Sequence, residues 1–286
     1  MMPASSQLDQ AFWEENGYVI IRDVVSPKNI KYALKAIWEF SGMDSNDPGT
    51  WNSPHPHLHF VDIFQHQALW NNRQSPRIHR AFAKIWRTEK LWVSFSPTSI
   101  NLPTRQALPK RWQLHWDMSL KQPFDFGVGG VLYLTDTTEN QGALTLVPGF
   151  HNYIEKWLDS LPLETNPTEE DLHSLGSKPI AANAGDLIIW HKFLPHGASS
   201  NTTNTPRLVQ YIGMSPVSST IWPGDCYQDA RDCRIKAWQE RRAGFDGDRL
   251  EKESQIGQTA ALSSLGRKLL GLDCWDEPDS CTKMVE

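Results

Sequence analysis

The chain has 286 residues, with 33 acidic against 28 basic groups for a net charge of -5, and 39% hydrophobic and 10% aromatic residues. That balance belongs to an ordinary globular chain able to bury a sizeable core. Its lysines and arginines are scattered rather than striped, which excludes an electrostatic footprint for nucleic acid or an anionic membrane. The longest apolar runs, such as Leu187 to Trp190, are far too short to cross a bilayer. A small-molecule partner is the expectation, and no protein partner can be inferred.

The first residues, Met1 to Ser6, carry no basic segment followed by an apolar one, so a cytoplasmic protein is expected. Tyr18 to Arg22 form a short β-branched run. Ser26 and Pro27 then read as an N-cap and first helical residue. Ile30, Ala33, Leu34, Ile37 and Trp38 repeat at helical spacing, and Gly42 supplies the stop. A second helix is predicted from Pro76 to about Arg87, capped by Ser75, with Ile78, Phe82, Ile85 and Trp86 on one face.

From Leu91 the pattern changes to strand-like runs between breakers: Leu91 to Phe95, Trp112 to Trp116, Gly129 to Thr135, Ala143 to Val147, Asp186 to Trp190 and Arg207 to Gly213. Parallel α/β architecture would need a helix between successive strands, so the spacing predicts an all-β barrel or sandwich. A helix around Ile154 to Asp159 interrupts the run, and beyond Pro223 two more are expected, over Asp229 to Arg242 and Leu250 to Leu270. Cys226, Cys233, Cys274 and Cys281 lack the close spacing of zinc ribbons or thioredoxin-like motifs and are expected to be reduced thiols.

Histidines are the first candidates for chemistry, because neutral imidazole binds transition metals and also works as acid or base. His55, His57 and His59 alternate, but Pro54 and Pro56 flank them and no nearby carboxylate completes a ligand set, so they read as a substrate-facing or surface loop. His115 and Asp117 are spaced to share one face of an extended strand, as two adjacent ligands of an octahedral metal would be. Such a pair also arises by chance as a surface contact, and it gains meaning only with a third ligand. His191 and His196 compete for that role. Arg207 opens the apolar run Leu208, Val209, Tyr211 and Ile212, where its planar fork suits a carboxylate, unless its head reaches solvent or a structural Asp.

Taken in order, His115-x-Asp117, the run Gly142 to Gly149 with His151 following, Gly185-Asp186, Leu194-Pro195-His196-Gly197 and Pro206-Arg207 closely resemble the phytanoyl-CoA dioxygenase family of Fe(II)- and 2-oxoglutarate-dependent oxygenases. Phe12 to Asp23 resembles the family's opening, so the similarity covers about residues 10 to 216. The resemblance implies a mainly β fold with flanking helices, its core a double-stranded β-helix of the cupin-like jelly-roll kind. One domain over 1–286 is expected: N-terminal helical support and a substrate loop at 1–90, the core at 91–216 and a C-terminal helical extension at 217–286. The resemblance also implies that His115, Asp117 and His196 bind iron and that Arg207 takes the distal carboxylate of 2-oxoglutarate, leaving His191 a structural or supporting role. Asn101 matches a position that helps to hold the cosubstrate. Ala198 stands where many relatives carry a serine, and Ser199, Thr135 or Tyr133 is the expected substitute.

The implied cofactors are Fe(II), 2-oxoglutarate and O2, and the implied reaction is hydroxylation or demethylation of a metabolite with release of succinate and CO2. Asp117 argues against halogenation, since related halogenases place a small residue there. Two other classes compete: a redox-silent cupin-like metal hydrolase or isomerase, and a non-catalytic ligand-binding jelly roll. Arg207 discriminates against the redox-silent class, which has no need of a carboxylate clamp at that spacing, while the non-catalytic reading predicts that the histidines are structural. Candidate pocket walls are Trp51, His57, His59, Trp70, Arg73, Trp116, Met118 and Trp222, with core packing the alternative for each tryptophan. Lys110, Arg111 and Lys121 either attract an anionic substrate or form a solvated rim. No dense basic patch suggests a coenzyme A pyrophosphate, so a small polar or biosynthetic metabolite is preferred over an acyl-CoA.

Overall fold

The computed structural model describes residues 9–53, 59–104, 114–121, 123–217, 227–243 and 252–276, with backbone alone at 227 and 228. In chain order the elements are α1 (Gln10–Asn16), β1 (Tyr18–Ile21), α2 (Pro27–Ser41), β2 (His59–Val61), α3 (Gln67–Arg73), α4 (Pro76–Trp86), β3 (Leu91–Val93), β4 (Thr98–Asn101), β5 (Val128–Tyr133) and β6 (Leu144–Leu146). They continue with α5 (Ile154–Ser160), β7 (Lys178–Ile180), β8 (Leu187–His191), β9 (His196–Ala198), β10 (Arg207–Tyr211), β11 (Met214–Pro216), α6 (Tyr227–Glu240), α7 (Lys252–Gln255) and α8 (Ser264–Leu270). The chain divides into two compact units: Met1–Asp23, Ser45–Phe60 and Ser99–Val209 form one, and Val24–Asp44, Val61–Thr98 and Gln210–Glu286 form the other.

The first unit is built on antiparallel pairing. A six-stranded sheet runs in the order β1-β8-β5-β10-β4-β2, and a three-stranded sheet in the order β7-β6-β9. β8 pairs antiparallel with both neighbours, Tyr18 facing Trp190 on one side and Gly129 facing Trp190 on the other. All five residues of β8 are buried, which is why its sequence reads as a continuous apolar run. Gly185, at φ +95°, supplies the turn into β8. Asp186 follows it and accepts hydrogen bonds from Arg22, from the Asp23 N–H and from the Asn183 N–H, so the Gly-Asp pair ties β1 to the start of β8.

In the second unit α2 carries its predicted Ser26 cap, the side chain accepting from Asn29 N–H, and ends at Gly42 in the left-handed region. β3 pairs antiparallel with β11. Arg73 and Arg234 are buried, and backbone carbonyls serve as their partners: Phe64 and Ser96 for Arg73, and Val93, Leu269 and Leu270 for Arg234. The buried Glu253 carboxylate accepts from the N–H groups of Phe64 and Gln65.

Three expectations need correction. Helix exceeds strand among the described residues, so the chain is not mainly β; it has antiparallel sheets with flanking helices. The helix expected over Leu250 to Leu270 is instead α7 and α8, interrupted around Gly257 at φ +89° and restarted by a Ser263 cap. Cys274 is disulfide-bonded, whereas Cys233 is a free, exposed thiol as expected; Cys226 and Cys281 lie outside the described residues. No helix among the described residues is long and apolar enough to cross a membrane.

Candidate metal centre

The strand expected over Trp112 to Trp116 is described only from Leu114 onward. There His115 and His196 form an antiparallel bridge in which each backbone N–H donates to the other's carbonyl at 2.9 Å. That bridge holds the two imidazoles with ring centroids 5.0 Å apart. Asp117, two residues on, reaches both rings, with Oδ1 3.4 Å from His115 Nε2 and Oδ2 3.1 Å from His196 Nε2. The three ligand atoms lie within 4.8 Å of one another, the one such group of three metal-type side chains among the described residues.

The His196 ring is oriented from behind. Its Nδ1 donates to the Leu194 carbonyl at 3.0 Å, which leaves Nε2 to face the Asp117 carboxylate. The 3.1 Å between Nε2 and the carboxylate oxygen is a separation that a shared proton or a cation accounts for. Two imidazoles and one carboxylate are a donor set suited to a divalent transition ion, so the residues fit a metal. Hydrogen bonds from His115 and then His196 hold the Asp117 carboxyl far below the usual carboxylate range, and it is ionised at neutral pH. The His196 side chain is 6% exposed against 45% for His115 and 59% for Asp117, so the cluster is anchored on its His196 side and reached by solvent on the other.

Arg207, at the start of β10, is 1% exposed. One terminal nitrogen donates to Asn101 Oδ1 at 3.1 Å, and the guanidinium lies 4.8 Å from the centroid of the Tyr133 ring. Its Nε is buried without a hydrogen-bond partner, and no carboxylate among the described residues pairs with it. A buried guanidinium in that condition is a ready receptor for an anionic ligand, which a carboxylate would satisfy with two parallel bonds. Gly142, at φ +71°, accommodates Asn101: a Cβ there would stand 2.9 Å from the Asn101 Cβ.

The other sequence candidates distribute unevenly. His191 is not brought to His115 and Asp117. Its Nδ1 accepts from the Phe193 N–H at 3.1 Å, and its ring sits among Trp13, Phe126, His151 and Phe193. Burial, and then the neighbouring His151, hold its pKa down at about 4. The Tyr133 hydroxyl donates to the Ile180 carbonyl and accepts from the Leu144 N–H, Thr135 Oγ1 accepts from the Leu208 N–H, and Ser199 Oγ donates to the Glu139 carbonyl. These hydroxyls are engaged by backbone.

Trp70 and Arg73 are corrected from pocket wall to interior: both are 0% exposed, and Trp70 Nε1 donates to Gln65. Trp116 is likewise interior. Alternation turns it away from His115 and Asp117, so that its ring packs on Phe150 and Trp157 and its Nε1 donates to the Phe193 carbonyl. Met118 is half-buried, Lys121 is exposed, Trp51 is half-buried, and His59 is half-buried with Nδ1 2.9 Å from Ser53 Oγ. His55, His57, Lys110, Arg111 and Trp222 lie outside the described residues. Sequence reasoning passed over Trp190, whose ring centroid lies 5.0 Å from that of His196. The signal was its place in the Asp186 to Trp190 run, one strand upstream of the candidate ligand.

Comparison with known proteins places these residues in a wider group. The model of the family described as phytanoyl-CoA dioxygenase (PhyH) matches residues 13–209, a span that includes every residue of the His-Asp-His cluster and Arg207. A Dictyostelium discoideum protein described as a candidate phytanoyl-CoA dioxygenase is 25% identical over 262 residues, covering 73% of this chain and 75% of its own length. Among solved structures, GlcNAc Inducible Gene 2 from Candida albicans superposes with a TM-score of 0.69 at 18% identity, covering 96% of this chain and 79% of its own. The epimerase SnoN from nogalamycin biosynthesis, solved in complex with Fe3+, alpha ketoglutarate and nogalamycin RO, gives a TM-score of 0.52 at 19% identity, covering 72% and 82%. At such identities the solved structures speak for the fold, while the family match extends over more than half of the sequence. The chain therefore belongs to the phytanoyl-CoA dioxygenase (PhyH) family.

Proposed function

We propose that this protein is an Fe(II)- and 2-oxoglutarate-dependent dioxygenase with a jelly-roll core, oxidising a small-molecule metabolite by hydroxylation or demethylation with release of succinate and CO2. The observation that carries the proposal is Arg207, a buried guanidinium with an unpartnered Nε on a strand of the unit that holds the His-Asp-His cluster. A redox-silent hydrolase has no use for such a clamp. Family membership supports the same reading, as does the iron and alpha ketoglutarate complex described for SnoN. SnoN was also solved with nogalamycin RO, a small molecule, which supports a small-molecule substrate here.

In this reading His115, Asp117 and His196 hold the metal. When bound, iron with 2-oxoglutarate and O2 supplies an oxidant able to take a hydrogen atom from an unactivated carbon. The chain contributes the rest. Leu194 fixes the tautomer of His196 through its carbonyl, and the ionised Asp117 contributes negative charge that favours a divalent cation. Arg207 receives the distal carboxylate as a forked pair, Asn101 aligns the guanidinium, and the Tyr133 ring face stabilises its charge. The carboxylate at position 117 argues against halogenation, which needs that position vacated for a halide.

The test is succinate formation from 2-oxoglutarate by iron-reconstituted protein in air, measured with and without candidate metabolites. Iron-dependent succinate stimulated by one of them is expected. Hydrolysis or isomerisation of a metabolite by the zinc or manganese form, with no succinate from the iron form, would overturn the reading in favour of a redox-silent enzyme.

A further inference from the structure

Trp190 is the one buried indole among the described residues whose N–H finds no acceptor. It is 4% exposed, so bulk solvent does not reach it. Buried polar groups are satisfied in the great majority of cases, so an unsatisfied donor of this kind calls for an explanation, of which a functional role is one. Three observations locate the ligand. The Trp190 ring lies 5.0 Å, centroid to centroid, from the ring of His196, a residue of the metal cluster. It also occupies the space over Gly129, where a Cβ would stand 2.4 Å from the indole; the absence of a side chain in β5 is what lets the ring lie there. Gly129 and Tyr133 are four residues apart on β5 and so share one face of the sheet, and Tyr133 carries the Arg207 guanidinium on its ring. The unpartnered indole N–H and the Arg207 guanidinium therefore stand on the same sheet face, the indole beside His196.

We propose that Trp190 is a cosubstrate-binding residue whose Nε1–H donates a hydrogen bond to the metal-end carboxylate of 2-oxoglutarate. The inference rests on the oxygenase reading above. It assigns the two ends of one dicarboxylate to two buried side chains that each keep an N–H without a partner, Trp190 beside His196 and Arg207 beside Asn101.

Trp190→Phe keeps the aromatic ring and removes the donor. In anaerobic titrations of the Fe(II)-loaded protein, followed by the visible metal-to-ligand charge-transfer band, this variant is expected to bind 2-oxoglutarate roughly tenfold more weakly, with a shifted band maximum and unchanged Fe(II) affinity. Equal 2-oxoglutarate affinity and an unmoved band would overturn the proposal. A second measurement does not depend on the variant folding. With the Zn(II)-loaded wild-type protein labelled with 15N at its indoles, addition of 2-oxoglutarate is expected to move an indole N–H resonance downfield; if none moves, the proposal fails. Wild-type protein that does not bind 2-oxoglutarate at all would defeat the oxygenase reading and this inference together. Wild-type binding matched by Trp190→Phe would remove the inference alone.

Discussion

Asp117 concentrates the charge of the site, and hydrogen bonds with His115 and then His196 hold its carboxyl far below the usual carboxylate range. Partners one step removed from a metal already cost about 10- to 100-fold in affinity when mutated, so removing a ligand itself is expected to weaken Fe(II) binding by more than about a hundredfold. His115→Ala, Asp117→Ala and His196→Ala should each show that loss by calorimetry, while His191→Ala should bind Fe(II) as the wild type does. Essential His191 with dispensable His196 would reverse the ligand assignment. Arg207→Ala should leave Fe(II) binding intact and weaken 2-oxoglutarate by about 30-fold or more, the usual consequence of removing one member of a buried charged pair. Unchanged cosubstrate affinity would remove the argument for an oxygenase. At this scale the sequence was legible where chemistry restricts the choice of residue. The His-x-Asp spacing, the Leu-Pro-His-Gly turn and the arginine opening an apolar strand all marked residues that the fold brings together or buries. It was illegible for Trp70, Arg73 and Trp116, because an indole or a guanidinium looks the same in a sequence whether a pocket or the interior receives it.

Among the elements, β8 carries different duties on its two faces: Trp190 points toward His196, and His191 enters an aromatic group with Trp13, Phe126 and His151. That second face makes the first unit sensitive to acid. His191 is neutral when folded because its pKa is depressed from 6.5 to about 4, and His151 is shifted in the same direction, chiefly by burial. The unfolded chain takes up the proton near pH 6.5, so this stability is fully present above pH 6.5, falls as the pH drops toward 4 and is lost below it. The full effect of His191 is about 3 kcal/mol. In urea titrations at pH 7 and pH 5, wild-type protein should lose stability at the lower pH, and His191→Asn, which retains an acceptor for the Phe193 N–H, should lose less. An equal loss in both proteins would place the acid sensitivity elsewhere. The helices α2 and α4 were legible because Ser26-Pro27 and Ser75-Pro76 open amphipathic stripes, although the Ser75 hydroxyl donates to the Val24 carbonyl and does not cap α4 as expected. The short α3 was not, since five of its seven residues are buried and leave no stripe to read.

For the molecule as a whole, the described C-terminal segment belongs to the second compact unit, tied to it by specific hydrogen bonds. Glu253 of α7 receives the backbone N–H groups of Phe64 and Gln65, and the carbonyls of Leu269 and Leu270 receive Arg234. Glu253→Ala leaves those two donors and should destabilise the second unit by about 2–4 kcal/mol, read as a lower thermal midpoint. A midpoint equal to wild type would show the segment to be dispensable. The antiparallel strands were visible as apolar runs between breakers, but the helical excess was not, because short capped helices such as α1 and α8 carry too few turns for periodicity to declare them. The central claim is that one site holds iron and chelates 2-oxoglutarate. It is tested most directly by anaerobic titration of metal-free protein with Fe(II) and then 2-oxoglutarate, monitored by visible absorption. The account predicts a metal-to-ligand charge-transfer band that saturates at one equivalent and is lost in Asp117→Ala. Folded protein that binds Fe(II) but develops no band at saturating 2-oxoglutarate would contradict it.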